Sequence, residues 1–279
     1  MPKDLSNDIH AAALAKGWVA SKEPFQVKIF QERVLGLSPR VLKSKGWLNA
    51  PFTFPVLVQP RKFLAPIQIP SSFDWREKAE LAHPWDQRES NMCMAYAICA
   101  SADARSLISD EPASRFAPRY FHFHYMRKAL ELGATIYEAA ELALKYGLPH
   151  AFPGEETITT VEECEDLSPP NKSVVKGVFS FATIEEVKQE IVLRGPVICQ
   201  VTTYSDFRER YGHNVYRITS KNEPALHAMT IVGYNNDGGY WIIKNSYGAG
   251  WGDLGGYCLY SMEDSGLLTP NPTVWAIEL

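Results

Sequence analysis

The sequence predicts an α+β protein in which a helical half is followed by a sheet half, and three observations predict it. The first two thirds carry long runs without Gly or Pro whose apolar residues recur every three or four positions. Beyond Gly195-Pro196 the pattern switches to short β-branched and aromatic runs divided by turn residues. With 46% hydrophobic and 22% charged residues in 279, the chain has the makings of a packed core.

Taken in order, the first strong helix is Met92 to Ile108 (MCMAYAICASADARSLI), rich in good helix formers and expected to start at about Asn91 to Cys93. Pro118 to Leu132 and Thr135 to Tyr146 also read as helices, the second closing at Gly147. A further helix, Ile184 to Leu193, stops at Gly195. Strands are expected at Val197 to Thr203, Ala228 to Tyr234, Tyr240 to Asn245 and Gly256 to Tyr260. Runs of helices and then of strands imply two halves with a cleft between them, the natural place for a site.

Residues 1–68 differ in texture. They hold ten Lys/Arg and four Asp/Glu, a net of +6, against −10 for 69–279 and −4 overall. Pro51, Phe52, Phe54, Pro55, Pro60, Phe63 and Pro66 suit an extended strap rather than a packed domain. One helix is expected there, at about Asp8 to Trp18, capped by Asn7 or Asp8. A modest net negative charge offers no global case for nucleic acid binding. The apolar runs, such as Ala11 to Ala15, fall far short of the roughly 18 residues of a membrane span. Met1 to His10 is polar and no signal-peptide core follows it, so a cytoplasmic location or export by a non-Sec route is expected.

Five cysteines, an odd number with no CxxC pair, argue against a disulfide framework and against a zinc site. His122 and His124 sit two apart in a segment that reads helical, which points them away from each other; no metal or other cofactor is expected. Cys99, Cys199 and Cys258 read as core residues. Cys164, among Glu162, Glu163, Glu165 and Asp166, reads as an exposed thiol with nothing to activate it.

Cys93 is different. A cysteine in the first turn of a helix sits where unpaired backbone N–H groups and the helix dipole favour a thiolate. It needs a base, and His227 in LHAMTIVGY is the candidate, 134 residues downstream. It needs a group to orient that base, and Asn245 in YWIIKNSYGAGWG lies 152 residues downstream. Gln87, six residues before Cys93, can donate its amide to an oxyanion together with the Cys93 backbone N–H.

Residues 69–279 resemble the papain-like cysteine peptidases. IPSSFDWR (Ile69 to Arg76) resembles the family's mature N-terminus, Gln87 to Tyr96 its oxyanion and nucleophile motif, LHAMTIVGY its histidine motif, and YWIIKNSYGAGWGDLGGY its asparagine motif. The resemblance implies a two-lobed fold: a mainly helical lobe over about 79–165, and an antiparallel, barrel-like β lobe over about 166–279 together with 69–78. It implies hydrolysis of peptide bonds through a Cys93 thioester, with His227 and Asn245 completing the triad and Gln87 the oxyanion hole. Asn91, Met92, Tyr247 and Trp251 would line the substrate cleft. Ala134, Ile136, Leu226 and Ala228 would surround the pocket for the second residue before the scissile bond.

The motifs also depart from the family pattern. Ser90 replaces its structural cysteine, Asn91 a glycine beside the substrate, Met94 an aromatic, Tyr247 a tryptophan and Leu226 a polar residue. Substrate preference is affected more than the catalytic groups. The partner set expected is a peptide or protein substrate, with the basic 1–68 segment as an inhibitory pro-segment lying on the acidic catalytic part, in a monomer. Two other readings share the residues: an acyl or peptidyl transferase using the same acyl-enzyme, and a peptide-binding pseudo-protease.

Overall fold

The structure, a computed structural model, describes residues 58–63, 68–109, 114–168, 170–208, 214–268 and 273–279. The helix expected at Asp8 to Trp18 and most of the basic segment lie outside the described residues.

In chain order the elements are β1 (Val58–Pro60), β2 (Ser72–Asp74), α1 (Cys93–Ile108) and α2 (Pro118–Tyr120), which runs into a π-helical turn at Phe121–Tyr125. Then come α3 (Ile136–Tyr146), β3 (Leu148–Pro149), α4 (Val161–Glu165), β4 (Lys172–Ser173), β5 (Gly177–Ser180) and α5 (Ile184–Arg194). The chain closes with β6 (Val197–Thr203), α6 (Ser205–Arg208), β7 (Ala225–Asn235), β8 (Tyr240–Lys244), β9 (Tyr257–Ser261) and β10 (Val274–Glu278). The main sheet runs β1-β5-β10-β6-β7-β8-β9, with β2 paired to β7, and β1 with β5 is its parallel pair. It is an open path rather than a closed barrel, in a mixed α+β fold. No described helix is long and apolar enough to cross a membrane.

Helix α1 is apolar on nearly every side because it is buried on nearly every side. Its Ala-rich surface packs against β6, β7 and β10 on one flank and against α2 and α3 on the other. The Thr230 hydroxyl on β7 donates to the Ala97 carbonyl at 3.1 Å, tying helix to sheet. One core cluster joins α1 and α3 to Ile198, Trp275 and Ile277. A second packs Val187 and Ile191 of α5 against Met229, Ile231 and Trp241 on the sheet.

Helices α3 and α5 begin and end as expected, with Thr135 and Thr183 as N-caps and Gly147 and Gly195 at their ends. Gly195 adopts φ +118°, and a Cβ there would press on the Arg105 side chain. The helix expected over Pro118 to Leu132 stops at Tyr125 instead. Arg127 takes a left-handed conformation (φ 54°), through which a right-handed helix cannot continue. The expectation for Cys164 is also corrected: it is fully buried, packed with Met92, Tyr120 and Ile158, because short α4 turns its acidic residues outward and this thiol inward.

Residues 58–63 are built into the main sheet. Arg61, the residue after β1, donates to the Glu190 carboxylate at 3.0 Å and to Glu278 at 2.7 Å, while its guanidinium stacks 4.0 Å from the Phe179 ring centroid. Glu190 has no exposed side-chain surface and also accepts from Arg105 at 2.9 Å and Arg194 at 3.3 Å.

A second buried carboxylate behaves in the opposite way. Burial pushes Glu155 up to about 7, although its carboxylate accepts the backbone N–H groups of Arg119 and Tyr120. Its other oxygen has no hydrogen-bond partner among the described residues. A raised carboxylate contributes stability that is present below its unfolded value of about 4.5 and lost as pH rises towards 7. Glu155→Gln removes this loss. Relative to that variant, the wild-type chain is expected to lose about 3 kcal/mol between pH 4.5 and 7 in urea titrations. Parallel stability curves for the two proteins would contradict it.

Candidate active site

Cys93 is the first residue of α1, and no side chain caps that helix end, so the first-turn N–H groups are open to an anion. The backbone N–H groups of Ala228, the residue after His227, of Met94 and of Cys93 itself act on the Cys93 thiol. Burial raises the thiol above its ordinary value, and these N–H groups pull it down. The register β6 to β7 to β8 brings the other groups to the same place. His227 sits near the start of β7 opposite Val201, and Asn245 follows the last residue of β8.

His227 Nε2 lies 2.8 Å from Asn245 Oδ1, both residues being buried. Asn245 Oδ1 also accepts the Ser246 backbone N–H at 2.8 Å, so it is the acceptor of the pair and His227 carries its proton on Nε2. That leaves Nδ1 with a free lone pair, the state a base needs. Burial lowers His227 to about 4; the Asn245 bond raises it and the Arg208 charge lowers it further. The Tyr247 ring stacks on the imidazole with centroids 5.0 Å apart and planes 21° apart.

Gln87 is placed by a backbone bridge. Its N–H donates to the Ser246 carbonyl at 2.8 Å, beside the bridge between Asp86 and Tyr247. Its Oε1 accepts the Ser246 hydroxyl at 2.6 Å, and its Nε2 donates to the Ser90 carbonyl at 2.6 Å. An amide nitrogen has two hydrogens, so one remains for an oxyanion. Ser246 thus holds both Gln87 and Asn245, a role the sequence reading did not assign, although it directly follows Asn245.

Where the resemblance expects a structural cysteine and a glycine, Ser90 and Asn91 make hydrogen bonds. The Ser90 hydroxyl donates to the Gln87 carbonyl, and Asn91 donates from its backbone to Leu130 O at 2.8 Å and from its side chain to Glu131 O at 2.7 Å. These bonds clip the nucleophile loop to the loop before α3 without a covalent link. All five cysteines are free thiols.

Of the expected cleft residues, Asn91 is exposed and Ala134, Leu226 and Tyr247 are half-buried. Ala228 is buried, and its backbone N–H pulls the Cys93 thiol down. Met92 and Ile136 are corrected: both are 1% exposed, Met92 packed with Tyr96 and Tyr120 and Ile136 in the α1–α3 core, so neither offers side-chain surface to a substrate. Trp251 packs edge-on to Tyr247 at 5.5 Å and donates from Nε1 to the Arg208 carbonyl at 3.1 Å. With Tyr247, Asp86, Arg88, Glu89 and Arg208 it lines a cavity of about 350 Å³ beside the His227 face. Arg208, in a polar stretch with no local signal, was not foreseen at the site. Among the described residues no group of His, Cys, Asp and Glu could hold a metal ion.

A base with its lone pair free, a positioned amide and a thiol at a helix N-terminus form the apparatus of acyl transfer through a thioester. A family profile described as papain family cysteine protease matches residues 125–269, just over half of the chain and including His227 and Asn245.

The chain belongs to the papain family of cysteine proteases. It is 28% identical over 235 residues to cathepsin B-like CP3 of Giardia intestinalis, covering 74% of each chain. To a cysteine protease of Blomia tropicalis it is 24% identical over 201 residues, covering 68% of this chain and 60% of that one. Among solved structures, digestive procathepsin L 3 of Tenebrio molitor superposes with a TM-score of 0.64 at 17% identity, covering 98% of this chain and 87% of that one. The Carica candamarcensis protease CMS1MS2, solved with E-64, superposes with a TM-score of 0.60 at 22% identity, covering 75% and 98%. This chain is therefore a papain-like cysteine peptidase with an α+β papain fold, a hydrolase of peptide or protein substrates.

Proposed function

We propose that this peptidase is an endopeptidase in which Cys93, His227 and Asn245 form the catalytic triad and Gln87 completes the oxyanion hole. The observation that carries the reading is the 2.8 Å bond from His227 Nε2 to Asn245 Oδ1, which leaves Nδ1 free as the base, while the backbone N–H of Ala228, the next residue along β7, pulls the Cys93 thiol down. As Cys93 attacks the scissile carbonyl carbon, its proton passes to His227 Nδ1. Burial penalises the thiolate or the imidazolium alone, and forming them together gives each the partner it lacks. The carbonyl oxygen takes the negative charge and is held by the spare Gln87 N–H and the Cys93 backbone N–H. His227 then returns the proton to the leaving amine, and the C–N bond breaks to give the thioester. Water, giving its proton to His227, cleaves the thioester to the acid and regenerates the thiol.

The basic N-terminal segment is proposed to hold the enzyme as a zymogen. The likeness to a procathepsin structure over 98% of the chain and the opposed charges of the two segments support this. Because β1 and Arg61 are part of the sheet, the inhibitory stretch is assigned to residues before Val58. The test treats the full chain and a variant lacking residues 1–57 with an alkylating thiol probe and an internally quenched peptide, with and without an added amine. Selective labelling of Cys93, hydrolysis, faster turnover in the shorter chain and no amine-capped product are expected. A folded short chain that is no faster defeats the zymogen proposal. Capped product selects acyl transfer, and absence of both labelling and hydrolysis selects a pseudo-protease.

A further inference from the structure

Two cations, Arg88 and Arg208, line the cavity beside His227; the proposed mechanism uses neither, and Arg208 is the one that lies over the Tyr247 ring. We infer that Arg208 selects substrates carrying a carboxylate on the leaving-group side of the scissile bond, either an acidic side chain or a free C-terminus. This rests on the peptidase reading of Cys93 and His227.

The place follows from the chemistry. His227 returns its proton to the leaving amine, so the leaving residue passes along the imidazole side of the site. The Tyr247 ring covers that side, and Arg208 lies over Tyr247 with its guanidinium carbon 5.5 Å from the ring centroid. The cavity is lined by Asp86, Arg88 and Glu89, the neighbours of Gln87, and by Tyr247, Trp251 and Arg208.

The charges around the cavity sum to zero, and what decides the preference is which of them have hydrogen-bonding capacity left. Glu89 Oε1 accepts from Arg208 Nη2 at 2.6 Å and Oε2 from Nη1 at 3.4 Å, so both of its oxygens are engaged. The guanidinium has five N–H donors in a plane, and two serve Glu89. Asp86 accepts the Arg88 backbone N–H on Oδ1 at 2.8 Å. Arg208 is also the better anchored partner, since Tyr247 stacks under it and Trp251 Nε1 grips its carbonyl, whereas the Glu89 side chain is 84% exposed. An exposed ion pair of this kind is weak enough for a second carboxylate to share or displace. Planar, two-point contact with a carboxylate is what a guanidinium favours.

The test compares three quenched peptides with one common acyl side. One has glutamine after the scissile bond and an amidated C-terminus, one has glutamate and an amidated C-terminus, and one has glutamine and a free C-terminal carboxylate. At least one carboxylate peptide should show a kcat/KM about 5- to 10-fold above the neutral one, and which one identifies the source of the carboxylate. Arg208→Ala should bring the ratio close to one, and Arg208→Glu should reverse it towards a lysine peptide. Removing the cation also raises the His227 pKa, so the acidic limb of the rate profile should move to higher pH in Arg208→Ala. The peptide assays are run on the full chain and on the chain lacking residues 1–57, and the same peptides are titrated calorimetrically into Cys93→Ala of both lengths. Hydrolysis at equal rates, or a preference that survives Arg208→Ala, overturns the inference and leaves the peptidase reading intact. Carboxylate-selective binding that depends on Arg208 without any hydrolysis by the wild-type chain sustains the inference and overturns that reading. Neither hydrolysis nor binding overturns both.

Discussion

Replacing His227 by alanine is expected to lower kcat/KM on a peptide substrate by on the order of 10⁴-fold, because one side chain supplies both the base for Cys93 and the acid for the leaving amine. Asn245→Ala is expected to cost about 100-fold. It leaves the imidazole in place but removes the 2.8 Å acceptor that keeps the proton on Nε2 and the lone pair on Nδ1. The two effects should not multiply. Once His227 is gone Asn245 has nothing to orient, so the double variant should match His227→Ala within about 3-fold. Rates with active sites counted by thiol titration check this. A double variant some 100-fold slower than His227→Ala would mean that Asn245 acts elsewhere, for instance through Ser246 on Gln87.

Glu190→Ala is expected to destabilise the fold by about 3–5 kcal/mol, the largest effect foreseen for a residue away from the active site. Its carboxylate has no exposed surface and faces three guanidiniums, of which Arg61 and Arg105 are themselves 8% and 7% exposed. Removing the anion leaves buried Arg105 without a carboxylate and Arg61 with Glu278 alone, whereas removing Arg61 alone leaves Glu190 paired with Arg105 and Arg194 and should cost less. Arg105 also donates to the Pro196 carbonyl at 2.8 Å, so the loss spreads to the turn that ends α5 and starts β6. Burial works to raise the Glu190 carboxyl, but the Arg105 and Arg61 charges outweigh it and hold it below its ordinary value. A depressed carboxylate contributes stability above its unfolded pKa, and this is lost as pH falls through the lower folded value. Thus Glu190→Gln should be most costly near neutrality and less so in acid, opposite in sign to Glu155. Urea unfolding at pH 7 gives the magnitude. A midpoint no lower than that of the exposed-site variant Glu141→Ala would sink the prediction.

Helices α1, α3 and α5 and strands β6 to β9 were legible in the sequence because each is long enough for its period to show, and α3 and α5 are also bounded by a Thr cap and a Gly. The stretch after Tyr125 misled because apolar periodicity continues past Arg127, a residue with no turn preference whose left-handed backbone does not continue the helix. Cys164 misled because its neighbours in sequence are acidic while its neighbours in space are aromatic. Met92 and Ile136 flank residues of the cleft, and a shift of one position along a helix end turns a side chain from cleft to core.

Sequence alone supplied the candidate catalytic groups. A cysteine opening a helix, a histidine opening an apolar strand, an asparagine before a glycine-rich run and a glutamine six residues ahead of the cysteine are local patterns, readable because each is tied to an element boundary. The tertiary structure decided what those groups lean on. Ser246 bridging Gln87 and Asn245, Tyr247 under Arg208, and Arg61 reaching Glu190 are meetings of residues 39 to 159 positions apart. Such pairs leave no periodic trace, since register and packing, rather than local propensity, choose which polar groups must satisfy one another once water is excluded.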